Sequence, residues 1–179
     1  HTSENELLLI SDSSNSDRLI SAIDYYTILE DADLNDRTGQ STRSSLVGPD
    51  ARPALGMVFG LNIDLDAVVQ TSLDDDLVEI ISDSSRGIDW VDVICENDSA
   101  VQILELLAEV GAIAIDTTNF EHFRIDNAIP GSGREYGEHA NPIESGLLSL
   151  IDFDKGCYVG QEVIARLDAY DKVQRNLRV

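Results

Sequence analysis

The sequence predicts an α+β fold, with mainly antiparallel sheets and packed helices. Two observations predict it. Some stretches repeat their apolar residues with a period of two, and others with helical spacing. These stretches do not follow the strict strand–helix–strand order that a parallel sheet requires. A third observation sets the scale. With 179 residues and 42% hydrophobic content, the chain can bury one sizeable core or two small lobes that share one.

The elements read in order as follows. Residues 6–11, with Leu7, Leu8, Leu9 and Ile10, read as a buried strand. A polar turn with N-cap candidates follows, and Leu19, Ile20, Ile23 and Tyr26 then give a helix running to about Tyr26. Residues 31–43 are polar, with strand pieces at their ends. Leu46-Val47 leads to Gly48-Pro49, and proline suits a helix start, so residues 50–59 read as helix. Residues 60–76 show little pattern. Their Asp74-Asp75-Asp76 run reads as a solvated loop, because three adjacent carboxylates cannot all face one ion. Residues 77–81 and 90–94 read as the two strands of a hairpin with Gly87 in its turn. Asn97-Asp98-Ser99 caps a helix with apolar positions Val101, Ile103, Leu104, Leu107 and Val110, stopped by Gly111. Residues 112–115 read as a short strand and 117–128 as a helix. Residues 129–155 are loop-rich, and an apolar pattern of helical spacing returns from Val163 to Leu167. No repeat of fixed period is visible.

Charge narrows the function classes. Lys plus Arg is 12 against 34 Asp plus Glu, a formal net charge of -22. Such a field repels nucleic acid unless a basic patch is concentrated somewhere. The one basic cluster, Arg166, Lys172, Arg175 and Arg178, is sparse and reads as solvated surface. An acid-rich, lysine-poor composition suits a salt-tolerant host. No apolar run approaches the roughly 18 residues of a membrane span, so no membrane partner is expected. Two cysteines make no disulfide framework, which points to a reducing cytoplasm. The three histidines share no ligand spacing with the cysteines, so no metal is expected. An iron–sulfur cluster held by this chain alone would want about four thiolates. The chain starts without methionine and ends in a strand-like stretch, and so reads as a piece of a longer protein.

The densest motif is Lys155-Gly156-Cys157-Tyr158-Val159-Gly160-Gln161-Glu162. A thiol between two glycines, beside a lysine and close to a helix N-terminus, would favour the thiolate. The same residues also read as a tight turn with a small buried cysteine. This block resembles the signature of the YgfZ-type folate-binding proteins, a branch of the glycine-cleavage T-protein (aminomethyltransferase) superfamily, at every fixed position. Three further blocks resemble the same family in the same order. They are Gly48-Pro49-x-Ala51, Arg124-Ile125-Asp126-Asn127-Ala128-Ile129-Pro130 and Asn141-Pro142-Ile143-Glu144-Ser145-Gly146-Leu147. Asp126 stands where that family usually has glutamate, and Ala128 where it has glycine.

The resemblance implies a T-protein-like folate-binding region over residues 1–150. Residues 151–179 would then be the signature loop, a helix and the start of a connection to a truncated C-terminal β-barrel. It implies tetrahydrofolate, or a one-carbon derivative, as cofactor, and iron–sulfur client enzymes as partners. The implied role is a factor assisting assembly or repair of such enzymes. The alternatives are an aminomethyltransferase passing a one-carbon unit to tetrahydrofolate, and a scaffold that kept the fold and lost the ligand. If the protein is an enzyme, it is a transferase of the aminomethyltransferase kind.

The site residues follow from the same resemblance. Cys157 is the candidate functional thiol, with Lys155 beside it. Arg124 and Asp126 belong to the block that lines the family's folate cleft. A guanidinium fork suits an anionic ligand, but it equally suits an ion pair with a neighbouring acid. Gly87-Ile88-Asp89-Trp90-Val91-Asp92 loosely resembles a T-protein block whose last residue, a glutamate, helps hold the pterin ring. By this resemblance Asp92 is implied in that role, since its two oxygens can accept from N3–H and the 2-amino group together. It also reads as a polar residue on the outer face of a hairpin. Trp90 could stack on a flat ring or simply pack.

Overall fold

The computed structural model describes residues 6–11, 16–29, 31–137 and 139–169. It is α+β, with four strands and five α-helices among those residues. The chain divides into two compact units, His1–Ala114 and Ile115–Val179.

The first unit is built on a four-stranded antiparallel sheet of order β1-β4-β3-β2. Its strands are β1 (Ser41–Val47), β2 (Val68–Leu73), β3 (Asp76–Asp83) and β4 (Trp90–Glu96). The helices are α1 (Ser16–Tyr26), α2 (Ala51–Phe59) and α3 (Asn97–Glu109). The expected hairpin of residues 77–94 is present as β3 and β4, with Gly87 at φ 73° in the connection. The Asp74-Asp75 pair joins β2 to β3 with φ of 49° and 74°. Two successive positive φ values make the hairpin turn whose twist matches that of the strands, so these acids serve a turn.

Alternation sorts the sheet into two faces. Val78, Ile80, Val91, Val93 and Cys95 point to one side, where they form the core with Ala51 and Leu55 of α2 and Ala100, Ile103 and Leu107 of α3. α3 is tied down by Ser99, whose hydroxyl donates to Asp76 Oδ2 at 2.5 Å. The opposite face carries Trp90, Asp92 and Ile94 from β4 and Glu79 from β3.

Three sequence expectations differ from this. Residues 7–11 form no strand, and Leu7, Leu9 and Ile10 are exposed, because the sheet runs from β1 to β2 without them. Residues 112–115 also form no strand. The Ala112 N–H turns back to Leu107 O at 3.0 Å, and Ile113 and Ile115 are exposed. In the other direction, β2 lies within the stretch that showed little pattern.

The second unit contains α4 (Thr117–Asp126), a 3-10 turn (Leu148–Leu150) and α5 (Gln161–Ala169). α4 starts at Asp116, whose Oδ1 accepts from the Asn119 N–H at 2.8 Å. It ends in a paired motif: Ile129 N–H reaches Arg124 O at 2.8 Å, and Ala128 N–H reaches Ile125 O at 3.0 Å. This closure puts the residue after the C-cap in the left-handed region, normally as glycine. Ala128 holds it at φ 54°. Its methyl makes that conformation costly, so Ala128→Gly should stabilise the protein by about 1 kcal/mol after the greater chain entropy of glycine is set against the relief. Denaturant melting checks this, and an unchanged or lower midpoint would contradict it.

Candidate functional site

The face of the first unit's sheet opposite its helices has a polar centre. Asp92 is 5% exposed and Glu79 is 4% exposed, between the exposed β1 residues Arg43 and Ser45 and the exposed β2 residue Gln70. The register explains the grouping. Asp92 pairs with Ser45 on one side and Ile81 on the other, while Glu79 pairs with Ile94 and Gln70. These positions all fall on one side of the pleat.

Asp92 is held by three donors. Arg43 Nη2 donates to Oδ2 at 2.8 Å, while Ser45 Oγ at 2.5 Å and Trp90 Nε1 at 3.0 Å both donate to Oδ1. The structure thus brings Trp90 and Asp92 together. The Trp90 ring is buried and carries the Arg86 guanidinium 4.1 Å from its centroid, a cation–π contact. Asp92 is therefore buried, not part of a wet outer face. Its charge is offset by Arg43, and a further donor would share or displace these contacts.

Glu79 is placed differently. Gln70 Nε2 donates to its Oε1 at 3.1 Å. No donor among the described residues reaches its second oxygen. Nothing in the sequence marked Glu79, Arg43 or Ser45 as members of this group. The available signal was periodicity, since Glu79 interrupts an apolar run on the side opposite Val78 and Ile80.

Arg124 lies in the second unit, 4% exposed, at the hub of an ion-pair cluster. Its Nε donates to both Glu121 oxygens at 3.0 Å, Nη2 donates to Glu121 at 2.8 Å, and Nη1 donates to Glu135 at 2.8 Å. Nη1 also reaches Ile129 O at 3.3 Å. Arg134 closes the cluster on Glu121. Gly131 packs on the guanidinium: a Cβ there would stand 3.1 Å from Arg124 Cζ. The Glu121 carboxyl is held below its ordinary range, first by the hydrogen bond from Arg124. Glu135 is lowered too, first by the Gly131 backbone N–H. Of the two readings of Arg124, the ion pair is what the geometry displays. Asp126, two residues on, is exposed at the end of α4 and outside this cluster.

The Asn141–Leu147 block supports the same loop. Asn141 Oδ1 accepts from the Glu144 N–H at 3.0 Å, and the buried Ser145 hydroxyl donates to Glu135 O at 2.8 Å. The block thus clips the Glu135 segment that faces Arg124.

Cys157 is exposed, and Cys95 is buried. Cys157 precedes α5 by several residues, because Gly160 (φ 88°) provides the carbonyl that accepts from the Val163 and Ile164 N–H groups. The sequence placed the thiol at or near that helix end. It stands outside the first turn, beyond which a helix terminus acts weakly. Lys155 Nζ sits over the Tyr158 ring, 4.8 Å from its centroid. The Cys95 thiol is pushed up, first by burial and then by the Asp76 charge. An alkylating agent at neutral pH should therefore label Cys157 well before Cys95 in the native protein. Peptide mapping after timed quenching checks this, and equal rates would contradict it.

No group of histidine, cysteine and acidic side chains among the described residues could hold a metal ion. No helix among them is long and apolar enough to cross a membrane.

No protein-family profile matches the chain. It is distantly similar to aminomethyltransferases. It shares 22% identity over 177 residues with that of Herpetosiphon aurantiacus, covering 97% of this chain and 49% of the relative. It shares 26% over 146 residues with that of Chlorobium phaeobacteroides, covering 76% and 40%. A 78-residue stretch is 40% identical to the Arabidopsis thaliana protein named "Putative transferase At1g60990, chloroplastic", covering 44% of this chain and 18% of that protein. The chain spans about half or less of the length of these curated relatives.

Proposed function

We propose that this chain is the tetrahydrofolate-binding part of a YgfZ-type protein that assists the assembly or repair of iron–sulfur enzymes. The observation that carries the folate reading is the polar centre of the sheet face. Two nearly buried carboxylates and a tryptophan, flanked by exposed polar side chains, suit a flat heterocycle with several N–H donors. The distant similarity to aminomethyltransferases supports the same ligand class.

The fit is uneven among the residues that the resemblance assigns. Trp90 and Asp92 stand on this face, but both Asp92 oxygens already accept from the protein. The Arg124 fork is taken by Glu121 and Glu135, so an anionic ligand there would have to displace one of them. Tetrahydrofolate, when bound, would supply the one-carbon acceptor. The protein's own contribution is to hold Arg43 and Trp90 fixed through Asp92.

The helper role rests on the Lys155–Glu162 block and its exposed thiol. The second reading, an aminomethyltransferase, is favoured by the names of the two bacterial relatives. A complementation assay separates them. Cys157→Ser should leave folding intact but lower the activity of dependent iron–sulfur enzymes in cells. Full complementation by that variant, together with turnover of an aminomethyl-lipoyl carrier by the wild type, would establish the second reading instead.

A further inference from the structure

The connection between β3 and β4 is a pinned turn that presents a loosely held arginine. The Gly87 N–H closes the turn on Ser84 O at 3.0 Å. Asp66 anchors it from the side, accepting from the Ser84 N–H at 2.8 Å and from the Ser84 hydroxyl at 2.7 Å. Asp83 Oδ1 accepts from the Ser85 N–H at 2.8 Å. Gly87 supplies the left-handed conformation, φ 73°, that lets the chain leave the turn. The backbone on either side of Arg86 is therefore fixed.

The Arg86 side chain is not fixed in the same way. Its Nε stands 3.6 Å from Asp83 Oδ2, too far for a hydrogen bond, and the side chain is 31% exposed. Its guanidinium lies on the Trp90 ring, and the N–H of that indole donates to Asp92. Arg86 thus stands beside the polar centre without being bound into it. Arg43, by contrast, is tied to Asp92 at 2.8 Å. A guanidinium has five donors, and of these two arginines Arg86 has its donors the less engaged. A flat group already rests on the indole, so that surface can carry one. The flexible stem of Arg86 lets the guanidinium leave the ring while the turn stays in place.

We propose that Arg86 is a binding residue that recognises a carboxylate on the tail of the ligand. The flat ring of the ligand takes the place of the guanidinium on Trp90, and the guanidinium swings out on its stem to fork the carboxylate. The ligand class is a planar heterocycle whose tail ends in a carboxylate. Charge gives the reason for a cation here. A formal net charge of -22 repels an anionic tail from most of the surface. The cation–π contact given up at the rim is weaker than a charge-assisted hydrogen bond to a carboxylate. The assignment rests on the folate reading above and deepens it.

Calorimetry on the intact protein tests it with two ligands. Tetrahydrofolate has the ring and the carboxylate tail, and tetrahydropterin has the ring alone. Arg86→Gln keeps a polar side chain and removes the charge and the fork. It should weaken tetrahydrofolate by about three- to tenfold, a modest loss because the pair stays open to water. Tetrahydropterin should bind the variant at least as tightly as the wild type, since no guanidinium has to leave the indole. Unchanged tetrahydrofolate affinity in Arg86→Gln would overturn the assignment alone. An equal loss for both ligands would overturn it too, as the mark of a residue that only packs on Trp90. No binding of either ligand by the wild type would overturn the folate reading and this assignment together. Melting curves accompany each titration. Should Arg86→Gln not fold, Arg86→Lys keeps the charge without the planar fork. It should show a smaller loss confined to tetrahydrofolate, and the same two results would overturn the assignment.

Discussion

Replacing Arg124 by alanine should destabilise the second unit by about 3 kcal/mol, the usual order for stranding the partners of a buried ion pair. The guanidinium bridges Glu121 and Glu135, and Gly131 packs against it. Without it, two carboxylates face each other and the Ile129 carbonyl loses a donor. Arg124→Lys should recover only part of the loss, since one ammonium cannot reproduce a fork that meets both carboxylates. The same cluster sets a pH dependence. Both carboxyls are depressed in the folded state below their ordinary value of 4.5. Their contribution is therefore present above about 4.5 and is lost as the pH falls through the folded-state values. Chemical denaturation at neutral and acidic pH checks both claims. In Arg124→Ala the acid-dependent loss should shrink. An Arg124→Ala variant as stable as wild type, with unaltered acid sensitivity, would contradict the account of this cluster.

Salt should have an effect of comparable size. A formal charge of -22 on 179 residues makes the compact state repel itself. The Debye length falls from about 30 Å at 0.01 M to about 3 Å at 1 M, which removes most of that repulsion. Relief of about 3 kcal/mol would raise Tm by roughly 6–12 °C for a chain of this length. The rise should follow potassium chloride concentration. Sodium sulfate should add a further increment through its exclusion from the protein surface. A Tm that is flat across this range would mean that the acidic residues are spaced so as to avoid repulsion.

Much of the architecture was legible because it is periodic. β4 alternates, α3 has its cap and its Gly111 stop, and the hairpin turn has Gly87. What escaped lacked a local signal. β1 was read only as a strand piece near residue 43; it is mostly serine and threonine before Leu46-Val47, and it extends to Val47 because β4 offers it partners. β2 sits in a stretch whose apolar residues are few. Residues 7–11 show the reverse case, an apolar run that forms no strand. The site was legible in part. Trp90 and Asp92 drew attention through one block, but two of the three donors to Asp92, Ser45 and Arg43, come from a strand 47 and 49 residues away. Only pairing register brings them together. Arg124 was read as a ligand fork or as an ion-pair partner, and Glu121, one helical turn before it, is the acid that the second reading left unnamed. Ala128 shows that alanine can hold a left-handed position usually given to glycine, at an energetic cost.

Tetrahydrofolate should bind on the face that carries Trp90, Asp92 and Glu79. Trp90 is the single tryptophan of the chain, so its emission reports on that face directly. Titrating tetrahydrofolate into the intact protein, with free tryptophan as the absorbance control, is the most direct measurement. A saturable change in Trp90 emission that coincides with the calorimetric isotherm is the expected result. No binding at millimolar tetrahydrofolate, or binding that leaves Trp90 emission untouched, would contradict it.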